Sequence, residues 1–394
     1  MNKAKIIAVS IICITSIVFY GDREIHVAAE TNIQTMTKMD EAKFKQWLSR
    51  WQRNILDNVR NNYCGKEVGE DMGWVMSPML RGYYYGYLAT QNVLWVDLFA
   101  SCADSWMRRS VIEPDGYPGW PKIGAAGTNV DDLDEYFTDS MLGEAMVLHY
   151  IVLMSDQILK TPLLAERFAP RAVKYIRLSE QIFEKWDKRG AWRGTARGRA
   201  ITVVLPFGID KKTDAWTEGY ETRNAPGRGF SHPNNKANLI ASWLLAMYDV
   251  THKPIYQERA QKWFRLMKSR MRLESDGTFQ LWSYWEPAGA WDYRGYIIPK
   301  HWIGVHPNSA YYEIDVESIV AAYEHSIVFD RQDIETLIST ALVDKRPWIA
   351  LAPYNNYIQR EFEEHNNPDQ WSGLDATPWY LAIQAGLQRA GLTR

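Results

Sequence analysis

The chain has no glycine-rich phosphate loop followed by Lys and Ser or Thr, which excludes the common nucleotide chemistries. Net charge is nearly absent: 45 basic against 47 acidic residues leaves −2, so no nucleic-acid partner held by bulk electrostatics is expected. Cysteine is scarce, with three in 394 residues. Cys13 lies in the first apolar run, without the small residue that precedes a lipoprotein cysteine. Cys64 and Cys102 remain, either as a disulfide, which export permits, or as two reduced core residues. The histidines form no close ligand pair with matching acids, so neither metal nor cofactor is expected. The acidic stretch TNVDDLDEYFTDSM (128–141) is compatible with a structural calcium only. Linkers and low-complexity segments are missing from 30–394, which reads as one domain.

What is present begins with a targeting segment. Lys3 and Lys5 precede IIAVSIICITSIVFY, and HVAAE offers a small-residue cut after Ala29. Residues 1–29 are therefore read as a signal peptide, and the mature chain as secreted or periplasmic with no membrane partner. Beyond it, helical periodicity dominates. The pattern predicts helices over 41–62, 77–90, 92–109, 139–156, 164–187, 234–251, 255–271, 308–327, 331–344 and 375–390. Strand signal is confined to AITVVLPF (200–207) and FQLWSYW (279–285), short pieces of hairpin on long loops. The helices come in pairs, as in LLAMYDVTHKPIYQERAQKWFRLM, and hairpins of this kind must stack or close on themselves to bury a face. The expected fold is all-α, an (α/α) toroid with minor β-hairpins, and a monomer.

Aromatic residues are abundant, with 18 Trp and 22 Tyr. A pyranose presents a C–H face that stacks on rings, so Trp74, Tyr83, Tyr84 and Trp120 are candidate sugar contacts, with Arg81 placed to meet a carboxylate. The motif SHPNNKAN (231–238) sets His232, Asn234, Asn235 and Lys236 at the mouth of a helix. His306 heads a second His-Pro-Asn helix start. Proline there is favourable because its missing N–H would be unpaired, with Ser231 or a neighbour as cap. The preceding loop is basic, with Arg189, Arg193, Arg197, Arg199, Lys211, Lys212, Arg223 and Arg228. The following loop, YWEPAGAWDYRGYIIPKHW (284–302), holds Tyr284, Tyr293, Arg294, Tyr296 and His301.

These residue types fit β-elimination from a uronic acid in an anionic polysaccharide. Asn235 or Arg294 would neutralise the carboxylate and stabilise the developing charge. A base and an acid are then needed. His232 is assigned as base because imidazole titrates near neutrality, and Tyr293 or Tyr296 as acid, with Tyr284 behind them. Trp74, Arg81, Tyr84, Trp120, Glu135, Arg223, Asn234, Lys236, Tyr284, His301 and His306 complete the expected substrate-binding set.

With a signal segment, a toroid and an Asn/His group followed by tyrosines, the chain resembles the alginate- and glucuronan-cleaving lyases, polysaccharide lyase family 38 in particular. At motif level the resemblance covers SHPNNKAN and WDYRGY. It implies metal-independent His/Tyr elimination. The sequence departs from the Asn-Asn-His order of alginate-lyase toroids, since histidine comes first and proline intervenes.

The alternatives are a toroid glycoside hydrolase of the uronyl hydrolase type, a C5 epimerase, and a non-catalytic glycan-binding protein. Hydrolysis wants two placed carboxyl groups. Asp131, Asp132, Asp134, Glu135 and Asp139 are candidates, with Glu218 and Glu221 beside the basic loop.

Overall fold

The computed structural model describes residues 36–59, 64, 67–123, 137–204, 207–210, 213, 215–218, 229–295, 297–346, 348–366 and 376–390. The signal segment, Glu135, Arg223 and Tyr296 lie outside them, as do Asp131, Asp132, Asp134 and Glu221.

The helices are α1 (Glu41–Val59), α2 (Asp71–Thr90), α3 (Leu94–Arg108), α4 (Met141–Lys160), α5 (Pro162–Lys188), α6 (Asn234–Thr251), α7 (Pro254–Lys268), α8 (Ala310–Glu324), α9 (Arg331–Val343), α10 (Asn356–His365) and α11 (Thr377–Ala390). They alternate between two layers, as the paired pattern predicts. In the inner layer α2 packs on α4, α4 on α6 and α6 on α8, while α11 returns to α2. A 3-10 turn, Ile349–Tyr354, packs on α8 and α10. Gln359 of α10 donates to the Tyr380 hydroxyl of α11 at 3.1 Å, which completes the circuit. The fold is the expected (α/α) toroid.

Inner and outer helices differ as their surroundings require. An inner helix is covered on all sides and so is apolar all round; an outer one needs a single stripe. α4 buries Leu142, Met146, Leu148, Ile151, Val152 and Met154 on every face. It is long and apolar enough to cross a membrane, yet it packs between α2, α5 and α6 with Glu144 and Ser155 fully buried, which marks a core helix. α5 shows the single stripe, through Leu164, Phe168, Ala172, Tyr175, Leu178 and Ile182. Trp51, Trp106, Trp186, Trp243 and Trp263 are fully buried. Each large apolar side chain of this kind contributes roughly 1.5–3 kcal/mol on burial.

Glycine permits the closest helix approach. A Cβ at Gly143 in α4 would lie 2.1 Å from the backbone oxygen of Gly69, just before α2. The starts of α2 and α4 therefore touch. Among the described residues, six two-stranded antiparallel hairpins decorate the loops before the inner helices, including β3 (Lys122–Ile123) with β4 (Phe137–Thr138) and β11 (Tyr293–Arg294) with β12 (Ile298–Pro299). Cys64 and Cys102 form a disulfide from the α1–α2 connection to α3.

Candidate active site

The inner helices α2, α4 and α6 begin on one rim. Glu70, the residue before α2, accepts from Nζ of Lys236 in the first turn of α6 at 2.6 Å. It also accepts from Nε1 of Trp74 at 3.0 Å. Burial pushes the Glu70 carboxyl up, but the charge and hydrogen bond of Lys236, with help from Trp74 and His232, hold it below the ordinary value. β3 is rooted here too: Lys122 pairs with Asp71, and its side chain packs where Gly69 has no Cβ.

His232 is buried beside this pair, with its backbone N–H donated to Ile201. Burial drives its pKa down to about 3, the Lys236 charge adding to the effect and Glu70 opposing it. The imidazole is neutral and very weakly basic, which removes the physical ground for choosing it as the base of an elimination. Burial also raises the Tyr284 hydroxyl above its ordinary value. Tyr293 is half-buried at the start of β11 and Arg294 is exposed on the same strand.

The two asparagines differ. Asn234 is spent on structure: its amide donates to the Ser283 carbonyl at 2.9 Å and its oxygen accepts from Arg270 at 2.5 Å. Asn235 is 1% exposed, and neither end of its carboxamide has a hydrogen-bond partner among the described residues. Pro233 occupies the N-cap position of α6, while Ser231, the expected cap, is bound instead to Asp292. His306 does hold a helix approach, its Nδ1 accepting from the Asn308 N–H at 3.0 Å.

Several residues expected at the substrate are packing residues. Trp120 lies flat on Trp106 at 3.8 Å and donates to its carbonyl. Tyr83 and Tyr84 are buried in α2. Arg81 is buried and paired with Glu317 of α8 at 3.2 Å. The basic loop also satisfies the fold: Arg193 donates to Gly229, Arg197 to Ser269 and Arg199 to Trp192, all at backbone carbonyls. Arg189 pairs with Glu113, Asp115 and Asp139. Asp139, one of the acidic-loop candidates, is bound by Lys185 as well and anchors the end of β4. The signal that misled here is composition, because orphan carbonyls in long loops recruit arginine as readily as a ligand does.

Glu70 and Trp302 were not among the expected site residues. Trp302 is 45% exposed and stacks on Tyr284 at 5.6 Å and 14°. Tyr284 also touches His301, His306 and Tyr311, so the loop over 284–306 forms one array of rings against the mouth. Its sequence signal was the exposed aromatic in KHWIGVHP, which helix-period reasoning passes over.

No protein-family model matches the chain, and no curated protein does. Solved structures do. A family 76 glycoside hydrolase (mannosidase) from Bacteroides thetaiotaomicron shares 9% identity over 88% of this chain and all of its own, at a TM-score of 0.51. An α-1,6-mannanase of the same family from Salegentibacter sp., an inactive variant with two aspartates replaced, in complex with α-1,6-mannotetrose, shares 12% over 86% and 98% at 0.49. These likenesses are to glycoside hydrolases, where a family 38 lyase was expected. The lyase family, the carbon–oxygen lyase class and the alginate or glucuronan β-elimination expected from the sequence are corrected by the family 76 likeness at a TM-score of 0.51.

Proposed function

We propose that this protein is an exported glycoside hydrolase that cleaves an uncharged polysaccharide with carboxyl groups carried on the rim. The observation that carries the reading is the Lys236–Glu70 pair beside a neutral, buried His232. An elimination needs a base, an acid and a cation for the substrate carboxylate. At this mouth the His232 imidazole is a very weak base, and Lys236, the cation beside it, is already neutralised.

Proton transfer is then left to carboxyl groups. Four described carboxylates at the rim are committed: Glu70 to Lys236, Asp71 to Lys122, Asp139 to Lys185 and Asp292 to Ser231. β3 and β4, joined by the sequence that contains Asp131, Asp132, Asp134 and Glu135, both end at this rim, one beside Asp71 and the other running into Asp139. Asp131 and Asp132 are assigned as the acid–base pair. Hydrolysis breaks the bond from the anomeric carbon to the glycosidic oxygen, which takes the acid's proton, while the base takes a proton from the water whose oxygen bonds to that carbon. The disulfide and the leader agree with an oxidising, extracytoplasmic location.

Incubation of the mature protein with α-mannan, β-glucan, xylan, alginate and pectate tests the reading. New reducing ends without ultraviolet absorbance are expected from a neutral polymer, and none from the Asp131→Asn/Asp132→Asn variant. Unsaturated products, or full activity in that variant, would overturn it.

A further inference from the structure

We propose that the exposed face of Trp302 is an outer subsite on which a neutral pyranose stacks, some sugar units away from the bond being cut. The proposal deepens the hydrolase reading and rests on it for the identity of the polymer.

The geometry is that of a prepared platform. Trp302 lies parallel to Tyr284 behind it, Tyr311 supports Tyr284 from 5.4 Å, and His306 closes on Tyr311 at 4.4 Å. The backed ring loses little freedom when a ligand arrives. Trp302 is 45% exposed, and its near neighbours in the chain, Ile303 and Val305, are 51% and 48% exposed. Three exposed apolar side chains within four positions are more than the singly scattered ones of an ordinary surface.

The occupant follows from what borders the patch. The platform is tied to the mouth by main chain: the Asn234 N–H donates to Tyr284 O at 3.0 Å, and the Tyr284 N–H to Gly304 O at 2.8 Å. Tyr284 feels the charge of Glu70, and His301 that of Lys236. A ligand lying across Trp302 is thus continuous with one entering the ring. Because His306 Nδ1 accepts a hydrogen bond, its Nε2 carries the proton and is a donor beside the rings. An apolar face rimmed by a neutral donor matches a pyranose, with its C–H face and hydroxyl edge. The two buried cations tied to the mouth, Lys236 and Arg270, are engaged within the protein and offer a uronate nothing.

Affinity electrophoresis tests this, with wild type, Trp302→Ala and Trp302→Phe run through gels holding α-mannan, β-glucan, xylan or alginate. Retention of the wild type by at least one neutral polymer is expected. Trp302→Ala should weaken it roughly tenfold, with partial recovery in Trp302→Phe and an unchanged circular-dichroism spectrum. Three results would overturn the subsite: no retention by any neutral polymer, retention indifferent to Trp302→Ala, or a wild-type dimer in sedimentation equilibrium that Trp302→Ala dissociates. If retention depends on Trp302 but no polymer is hydrolysed, the hydrolase reading fails and the platform stands. If hydrolysis proceeds and Trp302→Ala changes neither retention nor KM on long chains, the platform alone fails.

Discussion

Lys236 and Glu70 meet at 2.6 Å across the mouth of the helical ring, joining the first turn of α6 to the residue before α2 across 166 positions of sequence. The contact couples two non-adjacent inner helices at the rim where the loops converge. It also sets the electrostatics of the mouth, quenching a cation that would otherwise serve an anionic substrate, while its two charges act on His232 in opposite directions.

Breaking that pair from one side leaves a charge in a poorly hydrated place, since the two side chains are 17% and 8% exposed. Glu70→Ala should destabilise the protein by about 3 kcal/mol in urea unfolding. Glu70→Gln with Lys236→Met should recover most of that loss, because no unpaired charge remains. A double variant as unstable as the single would show that packing, and not the ion pair, carries the effect.

Lys185 is the deeper anchor. Fully buried in α5, it donates to Glu144 at 2.6 Å, Asp139 at 2.7 Å and Glu113 at 3.3 Å. Burial and neighbouring carboxylates raise Glu144 well above its ordinary value, and Glu113 to about 7, while Lys185 and Arg189 hold Asp139 low. Lys185→Met removes the common partner from three clustered acids and should cost about 3–5 kcal/mol. It should also abolish polysaccharide hydrolysis under conditions where the folded fraction is still high, because Asp139 ends the strand that leads back to Asp131 and Asp132. Activity that merely tracks the folded fraction would separate the anchor from the reaction.

How much of this was legible follows from where each signal resides. The inner helix after SHPNNKAN was read at its true bounds, 234–251, because its buried residues recur at helical spacing. α2 was read from 77 and begins at Asp71, since Pro78 looks like a first-turn residue and instead sits inside the helix. α10 was missed: NYIQREFEEH is strongly charged, and its apolar residues Ile358 and Phe362 give only a narrow stripe. The rim partners were beyond reach, because Lys236–Glu70 and Asn238–Asp315 are contacts between distant segments that no local pattern encodes. Choosing His232 from its reference pKa failed for a related reason, as burial decides that value and burial is a property of the closed ring.

The disulfide closes a separation of 38 residues between the α1–α2 connection and α3. Loop-closure entropy for that length is worth about 4 kcal/mol. Cys64→Ser/Cys102→Ser should therefore lower the urea midpoint without changing the pattern of reaction products. A midpoint within error of wild type would mean that the rest of the fold already constrains this loop.

Two buried groups at the same end of the ring oppose each other in pH dependence. His232 is held at about 3 in the fold, below its ordinary value of about 6.5. The unfolded chain takes up a proton there first, so the stability tied to His232 is full above about 6.5 and is lost as pH falls toward 3. Asp315 is pushed up to about 7 by burial, against its hydrogen bonds from Trp282 and Asn238 and the charge of Arg270. Here the fold holds the proton that the unfolded chain releases near about 4, so its contribution is full below about 4 and fades as pH rises through 7. Between these limits the slopes partly cancel in the wild type. Relative to wild type, His232→Gln should gain stability as pH is lowered from 6.5, and Asp315→Asn should gain it as pH is raised from 4, apart from a constant offset in each. Calorimetric Tm measured for the three proteins across this range checks both signs. Parallel curves would mean that neither group changes its proton occupancy on unfolding.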